Sequence, residues 1–98
     1  MKKTFAQLKR DLKVGKKLKT IYNAGWQAYV GSIREISKVQ TNAFCLNTLF
    51  EEGYKDSYVW YPEKASLVEY EDNRFRFYDQ LKWANNERVL MLEYEFVD

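Results

Sequence analysis

From Lys16 to Phe96 the chain reads as short runs of period two, and turn residues interrupt them every ten positions or so. Alternation sends successive side chains to opposite faces of a strand, so each run can bury one side only. Leu18, Thr20 and Tyr22 alternate with Lys17, Lys19 and Ile21 before the turn residues Asn23-Ala24-Gly25. The next run, Gln27 to Gln40, holds Ile33, Ile36 and Val39 three apart, a spacing that no regular strand places on one face. A bulge near Arg34-Glu35 would reconcile it and bend the strand. Further strands are expected at Phe44–Leu46, Tyr58–Tyr61, Leu67–Tyr70, Arg74–Asp79 and Leu90–Phe96, with Pro62 ending the fourth because it cannot donate to a ladder.

Before Lys16 the period is helical. Thr4 with Gln7 three residues on forms a capping box, Phe5, Leu8 and Leu12 recur on one face, and Gly15 can adopt the left-handed conformation that stops a helix. A helix over 4–13 is predicted, too short to persist without docking. The expected fold class is therefore α+β in a single domain over 1–98. An N-terminal amphipathic helix packs on a strongly bent antiparallel sheet of about six or seven short strands, with an SH3-like barrel as one form of it. Aromatic residues, 17% of the chain, allow so small a domain to fill a core.

One cysteine, Cys45, cannot form an internal disulfide, and that favours a reducing cytoplasm. The basic start Met1-Lys2-Lys3 is followed by no apolar run of signal-peptide length, and no stretch approaches a membrane span. Net charge is only +2, yet it is unevenly spread. Residues 1–40 carry ten basic groups against two acidic ones, whereas residues 41–98 carry six basic against twelve acidic. Such asymmetry hints at a polyanionic partner, and the competing account is that the halves interleave and their charges pair.

Catalysis is not expected. The chain has no histidine, the commonest general base and metal ligand. Cys45 sits between Phe44 and Leu46, as an inert half-buried thiol would. One cysteine without histidine cannot make a zinc site, and the four glycines stand too far apart for a phosphate loop. Glu69, Glu71, Asp72, Glu93 and Glu95 read as solvated faces of edge strands rather than a magnesium site. Catalytic residues, metal ligands and cofactors are accordingly none.

Binding remains, with two candidate surfaces. Lys9, Arg10, Lys13, Lys16, Lys17 and Lys19, with Trp26 close behind, combine cations and an aromatic as nucleic-acid-binding surfaces do. Tyr58, Trp60 and Tyr61 form the other. Alternation sends Tyr58 and Trp60 to one face and Val59 and Tyr61 to the opposite one, so at least one ring faces away from a one-sided core, as anchors of protein interfaces do.

Three stretches together resemble small proteins encoded in prophages and integrative elements of Gram-positive bacteria. They are Leu12-Lys13-Val14-Gly15-Lys16-Lys17-Leu18-Lys19, then Arg34 to Asn42, then Trp60-Tyr61-Pro62-Glu63-Lys64-Ala65-Ser66-Leu67-Val68-Glu69-Tyr70. The resemblance implies a mobile-element setting, where partners are nucleic acid or host proteins, and it carries no site residues. Nucleic-acid binding is the leading expectation. A protein-interaction module, modulating a host or element-encoded protein, is the alternative.

Overall fold

A computed structural model describes residues 2–25, 30–47 and 56–97. Among the described residues eight antiparallel strands form one sheet: β1 (Lys2–Lys3), β2 (Lys17–Asn23), β3 (Ile33–Val39), β4 (Ala43–Leu46), β5 (Ser57–Trp60), β6 (Val68–Glu71), β7 (Arg74–Leu81) and β8 (Glu87–Val97). Their order across the sheet is β1-β6-β7-β8-β2-β3-β4-β5. Among the described residues one short α-helix, α1 (Phe5–Asp11), packs on the inner face, so the sheet dominates the α+β pattern. The sheet does not close into a barrel, because β1 and β5 end it. Among the described residues no helix is long and apolar enough to cross a membrane.

Local chemistry accounts for the elements. Thr4 caps α1, its hydroxyl accepting from the Gln7 amide at 3.1 Å. The return half of the capping box is absent, since the Gln7 side chain engages Asp11 and Arg10 instead. The helix ends at Asp11, earlier than the pattern predicts, and Gly15 takes a φ of +94° one turn later. Asp72 at the β6–β7 turn and Asn85 and Asn86 at the β7–β8 turn also adopt positive φ, where short polar side chains are tolerated best. β1 pairs with β6 although no pattern in Lys2-Lys3 announces a strand.

The predicted bulge exists but lies two to three residues later, between Ile36 and Lys38. It sets Val39 in register with Phe44, where it stays 39% exposed, while Ile33 lies on the outer face, 56% exposed. The core gathers Leu8, Leu12, Leu18, Ile36, Phe44, Leu46, Val59, Tyr70, Phe75, Phe77 and Tyr94. Phe44 of β4 meets Phe75 of β7 and Tyr94 of β8 edge-on, although three strand boundaries separate β4 from β8. The sheet therefore folds back on itself and wraps one core.

Two of the glutamates expected on solvated edge strands lie elsewhere. Glu93 and Glu95 sit on β8, in the sheet interior, where Arg74 and Arg76 of β7 bind them. Glu69 of β6 joins Arg76, Arg88 and the Tyr78 hydroxyl. Cross-strand neighbours on one face of a sheet lie close enough for such pairs, so the outer face of β6–β8 is a ladder of alternating charge.

Candidate interaction surface

Strand β5 contributes opposite chemistry to its two faces. Val59, 5% exposed, points into the core, and Tyr61 just beyond the strand packs edge-on against Phe5 and Phe77 and tilted against Phe44. Burial pushes the Tyr61 hydroxyl pKa up. Tyr61 thus belongs to the core margin rather than to an exposed anchor set. Tyr58 and Trp60 point outward, 50% and 64% exposed, and their rings stack with centroids 5.6 Å apart and planes 15° from parallel. Residues i and i+2 of a strand stand about 6.6 Å apart, so two flat rings on one face lean together with little adjustment. Across the ladder their partners are Cys45 and Ala43, small and buried, with Lys38 of β3 next in the row beside Cys45.

The backbone of the same two residues is oriented by register. Tyr61 donates its amide to the Asn42 carbonyl at 2.9 Å, in line with the pairs Ala43↔Trp60 and Phe44↔Val59. In antiparallel sheets hydrogen-bonded and non-hydrogen-bonded pairs alternate. Val59 therefore exchanges bonds with Phe44, whereas Tyr58 and Trp60 form the non-bonded pairs. Their N–H and C=O groups point away from β4, toward the open side of the sheet. On β4 the counterpart holds: Gln40 donates to the Ala43 carbonyl, so Ala43 and Cys45 turn their backbone to β3.

Buried Arg34 on β3 anchors this part of the sheet. Its guanidinium donates to the Asn47 carbonyl at 2.6 Å, the Leu46 carbonyl at 3.2 Å and the Ser57 hydroxyl at 2.9 Å, joining the end of β4 to the start of β5. Ser37 adds a second tie by donating to the Asp56 carboxylate. Neither Arg34 nor Lys38 stands out in the sequence as a site residue. The signal for Arg34 is its place two residues before core Ile36 on the same strand face.

The six basic candidates do not share one surface. Lys17 and Lys19 lie on the outer face of β2, and the irregularity at Ile21 adds Tyr22 to that face opposite Glu93. Lys9 lies on α1 over the rings of Phe5 and Tyr61, at 4.5 and 5.5 Å. Arg10, also on the helix, donates to Gln7. Lys13 and Lys16 line a cleft of about 270 Å³ with Lys3, Asp11, Tyr70 and Phe96. Trp26 lies outside the described residues. Arg10 attracts the neighbouring Asp11 carboxylate, and Lys17 and Lys19 stand across the ladder from Glu35 and Glu95.

At the cleft, the Tyr70 hydroxyl donates to Asp11 at 2.7 Å and Gln7 donates to its other oxygen at 2.9 Å. The tyrosine bond, followed by Gln7, Lys3 and Arg10, holds the Asp11 carboxyl below its usual range against the opposing effect of burial. Tyr70 is pushed up, first by burial and then by Asp11. A lowered carboxyl pKa gives stability that is present above the unfolded-state pKa and lost as pH falls through the folded-state value. A raised tyrosine pKa gives stability that is lost as pH climbs above the ordinary tyrosine range. Tyr70→Phe is expected to move the Asp11 pKa upward and to reduce the acid-side loss that Asp11 causes. A carboxyl-carbon NMR titration checks this, with Glu69, lowered chiefly by Tyr78, as the internal control that stays put.

Among the described residues no group of three or more histidine, cysteine, aspartate or glutamate side chains is arranged to hold a metal ion. Comparison with protein-family models, curated proteins and solved structures returned no match.

Proposed function

We propose that the chain is a non-catalytic protein-interaction module whose binding element is the open edge of β5. One observation carries the reading: Tyr58 and Trp60 offer a stacked pair of exposed rings and, from the same residues, outward backbone donors and acceptors. An extended segment added beside β5 would exchange main-chain hydrogen bonds with both residues and lay alternate side chains against the rings, as strand-addition complexes do. Tyrosine and tryptophan are favoured anchors because a rigid ring buries much area at small entropic cost. The mobile-element resemblance suggests a host or element-encoded protein as the partner, and the buried reduced Cys45 fits a reducing compartment.

A second reading, nucleic-acid binding, is favoured by the cations on the outer face of β2. Lys17 and Lys19 share the outer face with Tyr22, and three strand spacings of about 4.8 Å each separate β2 from β5. A twelve-residue random peptide library panned on the protein, and titrations of single-stranded DNA and RNA, separate the two readings. Peptides selected on the wild type should lose at least about tenfold in affinity on Trp60→Ala, a loss of roughly 1.4 kcal/mol or more. Nucleic acid should bind no tighter than about 10⁻⁴ M at physiological salt. Tighter binding that weakens with a log–log salt slope near −0.7 per phosphate, and that Lys17→Glu with Lys19→Glu abolishes, would establish the second reading instead. Peptide affinity indifferent to Trp60→Ala would remove the first.

A further inference from the structure

The two ends of the sheet differ in how they are defended. Edge strands invite pairing with other chains unless they are short, charged or covered. β1 is two residues long and both are lysine. β5 has four residues, Ser-Tyr-Val-Trp, without a charge. Among the described strands only the β5 edge is built to accept another strand.

We infer that β5 pairs with β5 of a second copy of this chain, antiparallel about a two-fold axis through Val59. The inference rests on the strand-addition reading and names its occupant. Pairing centred on Val59 sets Tyr58 opposite Trp60 of the second copy and Trp60 opposite its Tyr58. These are the residues whose N–H and C=O point outward, so both positions become hydrogen-bonded pairs and about four main-chain bonds form. A two-fold axis normal to the sheet keeps like faces together, and the two stacked ring pairs come side by side as one two-by-two patch. No like charges meet, because residues 57–61 carry none. Pro62, the next residue of the same parity, has no amide proton and bounds the window. Because the lysine-bearing edge β1 offers no equivalent slot, growth stops at two subunits rather than continuing as a fibre.

So small a contact falls in the weak, transient class. Sedimentation equilibrium of the full chain should give a mass rising from 11.8 kDa toward twice that value between about 10 µM and 1 mM. Trp60→Pro removes an amide that β4 does not use, so the fold should survive while the dimer is lost. If that variant does not fold, the charge pair decides. Trp60→Glu alone should weaken association, and Tyr58→Lys added to Trp60→Glu should restore part of it by setting an ammonium opposite a carboxylate at both symmetric positions. Wild type that stays monomeric at about 1 mM overturns the inference. A dimer indifferent to Trp60→Pro or to the charge variants overturns it as well, since another surface would then be in use. The peptide-panning result stands apart from both outcomes: selected peptides that depend on Trp60, with no dimer, would mean that strand addition holds and the second copy does not.

Discussion

Phe44→Ala is expected to cost about 3–5 kcal/mol, the range for emptying a fully buried phenylalanine site. Phe44 has no exposed surface and touches Tyr61, Phe75 and Tyr94 with ring centroids 6.0 to 6.3 Å away. Those rings come from the margin of β5 and from β7 and β8, so the side chain closes the fold-back of the sheet. Alanine would open a cavity at that seam, and partners held on separate strands can collapse into it only in part. Domains of this size have roughly 5–15 kcal/mol in total, so the melting temperature should fall by well over 10 °C. Urea or thermal unfolding checks the value. A loss below about 1 kcal/mol would mean that the two halves of the sheet are stable without this contact. Phe44→Leu should cost much less, because it keeps most of the apolar volume.

Arg34→Met should cost roughly 2–5 kcal/mol and should loosen β4 and β5 more than the rest of the protein. Methionine keeps the length and apolar stem of the side chain and removes the donors to Leu46, Asn47 and Ser57. Depriving two carbonyls of a charged donor costs about 1–3 kcal/mol each where water cannot replace it, and Arg34 itself is 3% exposed. Arg34→Lys should recover little, since one ammonium cannot copy the planar fork. Amide hydrogen exchange gives the decisive pattern: faster exchange at Phe44, Leu46 and Val59, with β7 and β8 nearly unchanged. Uniform acceleration across the sheet would show that Arg34 supports global rather than local stability. Because β5 carries the proposed binding edge, peptide affinity should fall in this variant although Arg34 lies off the contact.

The outer ladder of Arg74, Arg76 and Arg88 with Glu69, Glu93 and Glu95 pairs three of the twelve acidic residues of the C-terminal half with arginines of the same half. The basic surplus of the N-terminal half is divided among a helix, a cleft and a sheet face. Uneven charge along the sequence therefore does not gather into one positive face among the described residues.

Much of the architecture was legible in the residues alone. Period-two runs gave β2, β5, β7 and β8 to within a few residues, because alternation is a property of each strand by itself. Thr4, Phe5, Leu8 and Leu12 gave α1, since a cap and an apolar stripe are local too. Alternation also put Tyr58 and Trp60 on one face and Val59 and Tyr61 on the other, but which pair faces outward was decided by the structure. Register, edge status and closure were not legible, for each depends on which strands become neighbours. Nothing in Lys2-Lys3 reports that Glu71 and Tyr70 lie beside it, and nothing in Glu93 reports that two arginines of β7 will neutralise it. The difference between Trp60 as core filler and Trp60 as an open edge is likewise a matter of neighbours. β5 ends the sheet, and the Asn42–Tyr61 bond sets which backbone groups face outward. Local pattern determined what each segment could form; long-range pairing, whose cost and reward lie between distant residues, decided which surfaces stayed open.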